Sequence, residues 1–230
     1  VQLNSEQTAE SLAAGGYDHV VLSSGIKARQ LDIPGFDHPK VLSYLDVLKH
    51  HKAVGQNVAV IGAGGIGFDV SEYLTEPHSL TLQPEAWLKD WGIDKNYQSR
   101  GALLADAPSE PSERKVFLLQ RKTSKVGAGL GKTTGWIHRS SLKKKGVEML
   151  SGVSYNKVDD AGLWISIDGK ERCLAVDHVI ICAGQEPERS LHQQLLAAGQ
   201  QVHLIGGADV AAELDAKRAI RQGAELAAAI

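Results

Sequence analysis

Apolar residues in this chain come in short runs closed by glycine or by charge, and the run at 58–61 (Val-Ala-Val-Ile) is the most telling. Consecutive apolar positions of that length predict a strand buried on both faces, as in the middle of a parallel sheet. The run passes into Gly62, Gly64 and Gly67, and then into Ile66, Val70, Tyr73 and Leu74, whose spacing predicts one face of a helix. Residues 116–119 (Val-Phe-Leu-Leu) predict a second buried strand, which ends in Gln120, Arg121 and Lys122. Residues 136–145 read as a helix stopped at Gly146. Val41, Leu45 and Leu48 share a helical face ahead of the first run, and residues 1–3 read as part of a strand.

The period then changes. Leu163, Ile165 and Ile167 alternate with Trp164, Ser166 and Asp168, and Asp168-Gly169 is a tight hairpin signal, so residues 147–176 predict a small antiparallel meander. An internal echo flanks the glycine-rich turn. Residues 18–25 (Asp-His-Val-Val-Leu-Ser-Ser-Gly) recur at 177–184 as Asp-His-Val-Ile-Ile-Cys-Ala-Gly. Both read as short buried strands whose exits are Gly25 and Gly184. A chain that leaves one domain, builds another and returns explains the echo. Residues 202–209 form a last strand ending in Gly-Gly-x-Asp, and a long helix is expected from Glu213 onward. The pattern predicts an α/β, three-layer Rossmann-like domain with an antiparallel β-meander, inserted into a partial second domain. The boundaries are 1–34, 35–176 and 177–230.

The chemistry lies first in the turn. Gly62, Gly64 and Gly67 form Gly-x-Gly-x-x-Gly between strand and helix, the order that a dinucleotide-binding crossover requires. Gly62 permits the tight turn, Gly64 lets backbone approach a pyrophosphate, and Gly67 lets the helix lie close on the strand. Gly65 and Ile66 open that helix, whose unpaired N–H groups and positive dipole end favour phosphate. The exit of the second strand decides which nicotinamide fits. A free ribose 2′-hydroxyl calls for a carboxylate there, whereas a 2′-phosphate calls for cations. Arg121 and Lys122 occupy that place, which favours NADPH. Glu85 and Asp90 lie nearer the customary spacing for a carboxylate. They fall in a breaker-rich stretch, 75–114, that reads as an insertion containing Pro77, Pro84, Gly92, Pro108 and Pro111.

Several other features are weaker. The string Gly127-Ala128-Gly129-Leu130-Gly131-Lys132-Thr133 is one residue short of a P-loop and reads as a flexible lid, with Thr133 or Thr134 capping the next helix. His138 and Arg139 on that helix are possible contacts to substrate or flavin, and Trp87 and Trp91 are possible anchors for a partner domain. At 230 residues and 43% hydrophobic content the chain has ample material for a core. A net charge of -2 gives no reason to expect nucleic acid or a membrane surface as partner. Two cysteines, Cys173 and Cys182, are too few for a thiolate-held cluster, and Cys182 reads as a buried inert thiol. No apolar stretch is long enough to span a bilayer and no signal peptide is visible, so a cytoplasmic location is expected. The chain begins with Val1 rather than methionine, and is expected to be a piece of a longer polypeptide.

Taken in order, Ser-Ser-Gly at 23–25, the glycine-rich turn, Cys-Ala-Gly-Gln-Glu-Pro at 182–187 and Gly-Gly-x-Asp at 206–209 resemble flavoproteins with two dinucleotide-binding domains. In these the NADPH domain is inserted into the FAD domain. Residues 38–48, 64–69, 119–122, 129–139 and 181–187 extend the likeness over nearly the whole chain, to the C-terminal part of bacterial NADPH-dependent 2,4-dienoyl-CoA reductases. The string Gly-Leu-Gly-Lys-Thr-Thr-Gly-Trp-Ile-His-Arg at 129–139 is the most specific part of it. The resemblance implies FAD beside NADPH, with Gly25, Ala183, Gly184 and Gly207 near the cofactors and Asp209, at a helix start, on the ribityl chain. It also implies a barrel domain with FMN and a four-iron cluster elsewhere in the same polypeptide. Electrons would pass from NADPH through FAD, cluster and FMN to an unsaturated fatty acyl-CoA. The residues at hand hold no barrel, no cysteine cluster and no second Gly-x-Gly-x-x-Gly for the FAD pyrophosphate, so no catalytic residue for the acyl substrate is expected among them. Two alternatives stay open. One is a relative of the amine dehydrogenases in which the nucleotide domain only holds an adenosine phosphate. The other is a non-enzymatic NADP-binding module.

Overall fold

The computed structural model describes residues 1–76, 78–104, 111–212 and 215–230. In chain order, helix α1 (Ala9–Ala14) and strands β1 (Val20–Leu22) and β2 (Ile26–Ala28) come first. Next are β3 (Val41–Ser43), α2 (Tyr44–Leu48), β4 (Asn57–Ile61), α3 (Gly65–Thr75) and α4 (Pro84–Asp90). They are followed by β5 (Lys115–Leu119), α5 (Gly135–Lys144), β6 (Glu148–Leu150), β7 (Ser154–Asp159), β8 (Gly162–Ile167), β9 (Lys170–Leu174) and β10 (His178–Ile181). The chain closes with β11 (Gln185–Pro187), α6 (Ser190–Ala197), β12 (Val202–Leu204) and α7 (Ala216–Ala227). It divides into two compact units, residues 31–183 and residues 1–30 with 184–230.

In the central unit five parallel strands lie in the order β3-β10-β4-β5-β6. Side chains alternate between sheet faces. Ala59, Ile61, Phe117, Leu119, Val179 and Ile181 share one face, and all are buried against Val158, Leu163, Ile165 and Leu174 of the antiparallel meander β7-β8-β9. The other face carries Leu118, whose Cδ1 lies 3.5 Å from the point where a Cβ on Gly67 of α3 would stand. Meander, sheet and helix are therefore three layers, the α/β architecture that the pattern predicts. Both faces are covered, which is why 58–61 and 116–119 are apolar without alternation. The hairpin is also as predicted: Asp168 and Gly169 have φ of 50° and 74°, the paired positive values of a type I′ turn.

The second unit is built around the parallel pair β1-β12. Its core is Ala9, Val20, Leu22 and Leu195, with Leu12, Leu191, Val202 and Leu204 packed around them. Strands β2 and β11 form a separate antiparallel pair.

Several expectations change. Val41 lies in a strand rather than on a helical face. Ser43 accepts a hydrogen bond from Asp46 N while the Asp46 carboxylate accepts from Ser43 N, and this reciprocal cap starts α2 only at Tyr44. Residues 1–3 form no strand, and Val1 and Leu3 are exposed. The units divide at 30/31 and 183/184 rather than at 34/35 and 176/177, because β10 is hydrogen-bonded between β3 and β4 and so belongs to the central sheet. Helix α7 begins at Ala216 with Asp215 as its N-cap, accepting from Arg218 N at 2.7 Å; Glu213 and Leu214 lie outside the described residues. In the insertion, Pro77 and Pro108 also lie outside them. Its described part holds α4, where the Trp87 and Trp91 rings pack 6.1 Å apart and Lys144 Nζ sits 4.7 Å over Trp91. No helix among the described residues is long and apolar enough to cross a membrane.

Candidate functional site

The topology of the central sheet singles out one place. From β4 the chain goes through α3 to β5 and then β6 on one side, and later returns to place β10 on the other. Strand order thus reverses at β4, and open parallel sheets bind ligands beyond the carboxyl ends of the strands at such a switch point. The glycine-rich turn sits there.

Each glycine answers to a measurable constraint. Gly62 has φ of +109°, and a Cβ on it would meet Ala183 N and the Cys182 carbonyl at 2.8 Å. The exits of β4 and β10 therefore touch backbone to backbone, and Ala183 is part of the turn's wall. A Cβ on Gly67 would lie 1.7 Å from the Gly62 carbonyl oxygen, so the helix can rest on the strand only with glycine there. Around Gly64 and Gly65 nothing lies within 4 Å of the point where a Cβ would stand, and both are exposed. Gly64 is the N-cap of α3 with no side-chain hydrogen bond. The first N–H groups of α3, Gly65, Ile66 and Gly67 among them, face that space without a side-chain cap, which is the donor set a pyrophosphate needs. These residues fit a dinucleotide.

Register fixes the second half of the site. Ile61 pairs with Leu119, and Gly62 N donates to Leu119 O at 2.9 Å. Leu119, the last residue of β5, is thus a direct neighbour of the turn, and the reading of β5 rather than the insertion as the second strand holds. Glu85 and Asp90 are engaged on α4, in ion pairs with Lys95 at 2.6 Å and Lys144 at 3.0 Å. Arg121 and Lys122 are exposed, and no ion pair joins either to a described carboxylate. Burial pushes the Tyr155 phenol well up from its ordinary value, and the positive charge of Arg121 opposes that shift.

Sequence reasoning missed Gln120. Its Nε2 donates to Lys122 O at 2.9 Å and to Ser124 O at 2.6 Å. Its own N–H donates to Leu150 O, and its carbonyl accepts from Val153 N, each at 3.0 Å. A polar residue just after a buried strand is the signal that was available. The loop at 127–131 also differs from expectation. Rather than a free lid it is tied down: Gly127 packs on Phe68 of α3, where a Cβ would come within 2.6 Å of the ring, and its carbonyl accepts from Arg139 Nη1 at 2.9 Å. Residues 120–126, none of them in a strand, separate it from β5, so the P-loop context of a strand running directly into the loop is absent. Thr134 is the N-cap of α5 by position, but its side chain makes no capping bond. His138 Nδ1 lies 2.9 Å from Glu72 Oε1 and so ties α5 to α3. The Cys182 thiol is pushed up to about 12, first by burial and then by Asp69, so it is inert as read from the sequence.

In the second unit, Gly25 has φ of +80° with open space around it. A Cβ on Gly207 would meet Ile26 Cγ2 at 2.8 Å and the Gly25 carbonyl carbon at 3.0 Å, so these two glycines let the β1 exit and the 206–208 turn close on each other. Gly184 has φ of +90°, with the Arg29 guanidinium against it. Asp209 ends the 206–208 turn rather than starting a helix. Its Oδ2 accepts from Gln222 Nε2 at 2.7 Å, while its backbone carbonyl is held by Arg189. The other Asp209 carboxylate oxygen takes no hydrogen bond from a described residue.

Comparison with known proteins agrees with this geometry. The pyridine nucleotide-disulphide oxidoreductase model matches residues 2–215, and the chain belongs to that family, which implies FAD and a pyridine nucleotide. It is 23% identical over 212 residues to a metal reductase of Desulforamulus reducens, covering 90% of this chain and 31% of the relative. It is 24% identical over 209 residues to a cinnamate reductase of Clostridium sporogenes, covering 91% and 26%. A 2-naphthoyl-CoA reductase in complex with 2-naphthoyl-CoA shares the fold, with a TM-score of 0.73 at 22% identity over 96% of this chain and 28% of that one. Histamine dehydrogenase from Rhizobium sp. 4-9 does so with a TM-score of 0.65 at 16% identity, over 92% and 30%. The chain spans about a third or less of the length of these proteins. It is a flavoprotein oxidoreductase domain related to the nucleotide-binding part of larger reductases.

Proposed function

We propose that this chain is the NADPH-binding, FAD-associated electron-entry part of a larger flavin and iron–sulfur reductase of the 2,4-dienoyl-CoA reductase type. The observation that supports the nucleotide assignment is the pairing of Ile61 with Leu119, by which β5, the strand that leads into the exposed Arg121 and Lys122, ends beside the glycine turn. The N–H groups at the start of α3 hold the two central phosphates, and Gly62 and Ala183 form the wall beside them. Arg121 and Lys122 neutralise the 2′-phosphate, and Asp209 holds a ribityl hydroxyl. When bound, the two cofactors supply hydride transfer from nicotinamide to flavin; the protein's part is position and charge. For the acyl substrate the support is the resemblance of 129–139, together with relatives whose names, cinnamate reductase and 2-naphthoyl-CoA reductase, denote conjugated and thioester-linked acids.

A second reading is favoured by the likeness to histamine dehydrogenase, in which this chain's nucleotide turn would hold an adenosine phosphate as a structural element. Substrate turnover separates the two. The polypeptide that carries this chain is expected to consume NADPH with a 2,4-dienoyl-CoA and to leave amines untouched. The 230-residue chain alone is expected to leave the dienoyl absorbance unchanged, since its two cysteines cannot hold a cluster. Amine oxidation by the long polypeptide, or dienoyl reduction by the chain alone, overturns the proposal.

A further inference from the structure

We infer that Gln120 is a positioning residue for pyridine-nucleotide choice: its side-chain amide sets the loop that presents Arg121 and Lys122 to the 2′-phosphate. The inference rests on the NADPH reading above and assigns a role to a residue that carries no charge and need not touch the nucleotide.

The geometry is specific. Both partners of Nε2 are carbonyl oxygens, Lys122 O at 2.9 Å and Ser124 O at 2.6 Å. Two acceptors fix which end of the amide faces them, because the Oε1 end would repel both. Residue 120 is anchored on both of its backbone sides to the exit of β6, by Leu150 O and Val153 N. The amide therefore reaches out from a fixed point and closes the turn at 122 and 124. Lys122 O has a second donor in Gly152 N at 3.0 Å, whereas Ser124 O has no other donor among the described residues. Arg121 thus lies between two pinned positions, and the far end of its loop depends on Gln120.

Two physical consequences follow for an incoming phosphate. A cation on a loop already held in place loses less freedom on clamping its ligand, so more of the contact energy appears as affinity. The amide also engages two carbonyl dipoles in hydrogen bonds, so their negative ends are turned to a donor instead of competing for the cations. Neither effect acts on NADH, which lacks the 2′-phosphate, so the residue changes selectivity more than general binding.

The test is Gln120→Met, which keeps length and removes the donors, compared with wild type and Arg121→Ala by calorimetric titration of NADPH and NADH against the 230-residue chain. Gln120→Met is expected to weaken NADPH binding about 5- to 20-fold, the order of one or two neutral hydrogen bonds. NADH affinity should stay within about twofold, and serves with the melting temperature as the control for folding. The salt dependence of NADPH binding should also flatten, since fewer cations then engage the phosphate. Equal losses for both nucleotides, or no loss for either, overturn the inference. If Arg121→Ala weakens NADPH selectively while Gln120→Met does not, only the role of Gln120 falls. If Arg121→Ala is itself unselective, the NADPH reading falls and the inference with it.

Discussion

Gly64→Val is expected to leave the chain folded and to abolish nucleotide binding. The position is open, with nothing within 4 Å of a Cβ, and its φ of -87° and ψ of -171° are extended backbone that valine adopts without strain. Folding should lose no more than about 1 kcal/mol, through a poorer N-cap. The new isopropyl group stands in the space that gives a pyrophosphate access to the N–H groups at the start of α3. Losing two charge-assisted hydrogen bonds of about 1.5–3 kcal/mol each weakens binding by more than about 100-fold. Calorimetry on the folded variant is the check, and unchanged NADPH affinity would make the motif a structural turn only.

Gly67→Ala is expected to do the opposite, damaging the fold before binding is reached. One methyl group would lie 1.7 Å from the Gly62 carbonyl oxygen, a backbone atom that cannot rotate away. The helix must lift from β4, disturbing the buried contacts of Phe68, Val70 and Leu74. Overpacking with loss of such contacts costs about 3–4 kcal/mol, which for a unit of this size lowers Tm by roughly 6–16 °C. Thermal melts of wild type and variant measure it. A melt unchanged within a degree or two would mean that helix and strand are not held in this close contact.

How much of this was legible follows from which forces act locally. The turn, both buried strands and the hairpin at Asp168-Gly169 could be read because each is dictated by residues within a few positions of one another: steric freedom at glycine, apolar runs, a two-residue turn. The start of α2 was misplaced because Val41, Leu45 and Leu48 match a helical period by chance, while the Ser43–Asp46 cap decides the matter. The place of β10 was hidden for another reason. Its sequence echoes β1, but a parallel strand's neighbours are set by pairing across more than a hundred residues, and composition does not record them. In the site, Arg121 and Lys122 were visible as charges. Gln120 was not, since its importance comes from two carbonyls that only the folded loop brings to it. Asp209 was expected at a helix start, yet the helix cap falls on Asp215, because the chain passes through the 206–208 turn before α7 begins.

The central claim is that the turn at Gly62–Gly67 and the cations after β5 together hold NADPH in preference to NADH. Titrating both nucleotides against wild type, Arg121→Ala and Arg121→Asp tests it most directly. A charge-assisted contact to phosphate contributes about 1.5–3 kcal/mol, so Arg121→Ala should weaken NADPH by about 10- to 150-fold, toward the lower end because the loop is exposed. NADH affinity should hardly change, Arg121→Asp should invert the preference, and added salt should weaken NADPH binding more than NADH binding. Equal losses for NADPH and NADH would contradict the account, by making Arg121 a support of the fold instead of a ligand for the 2′-phosphate.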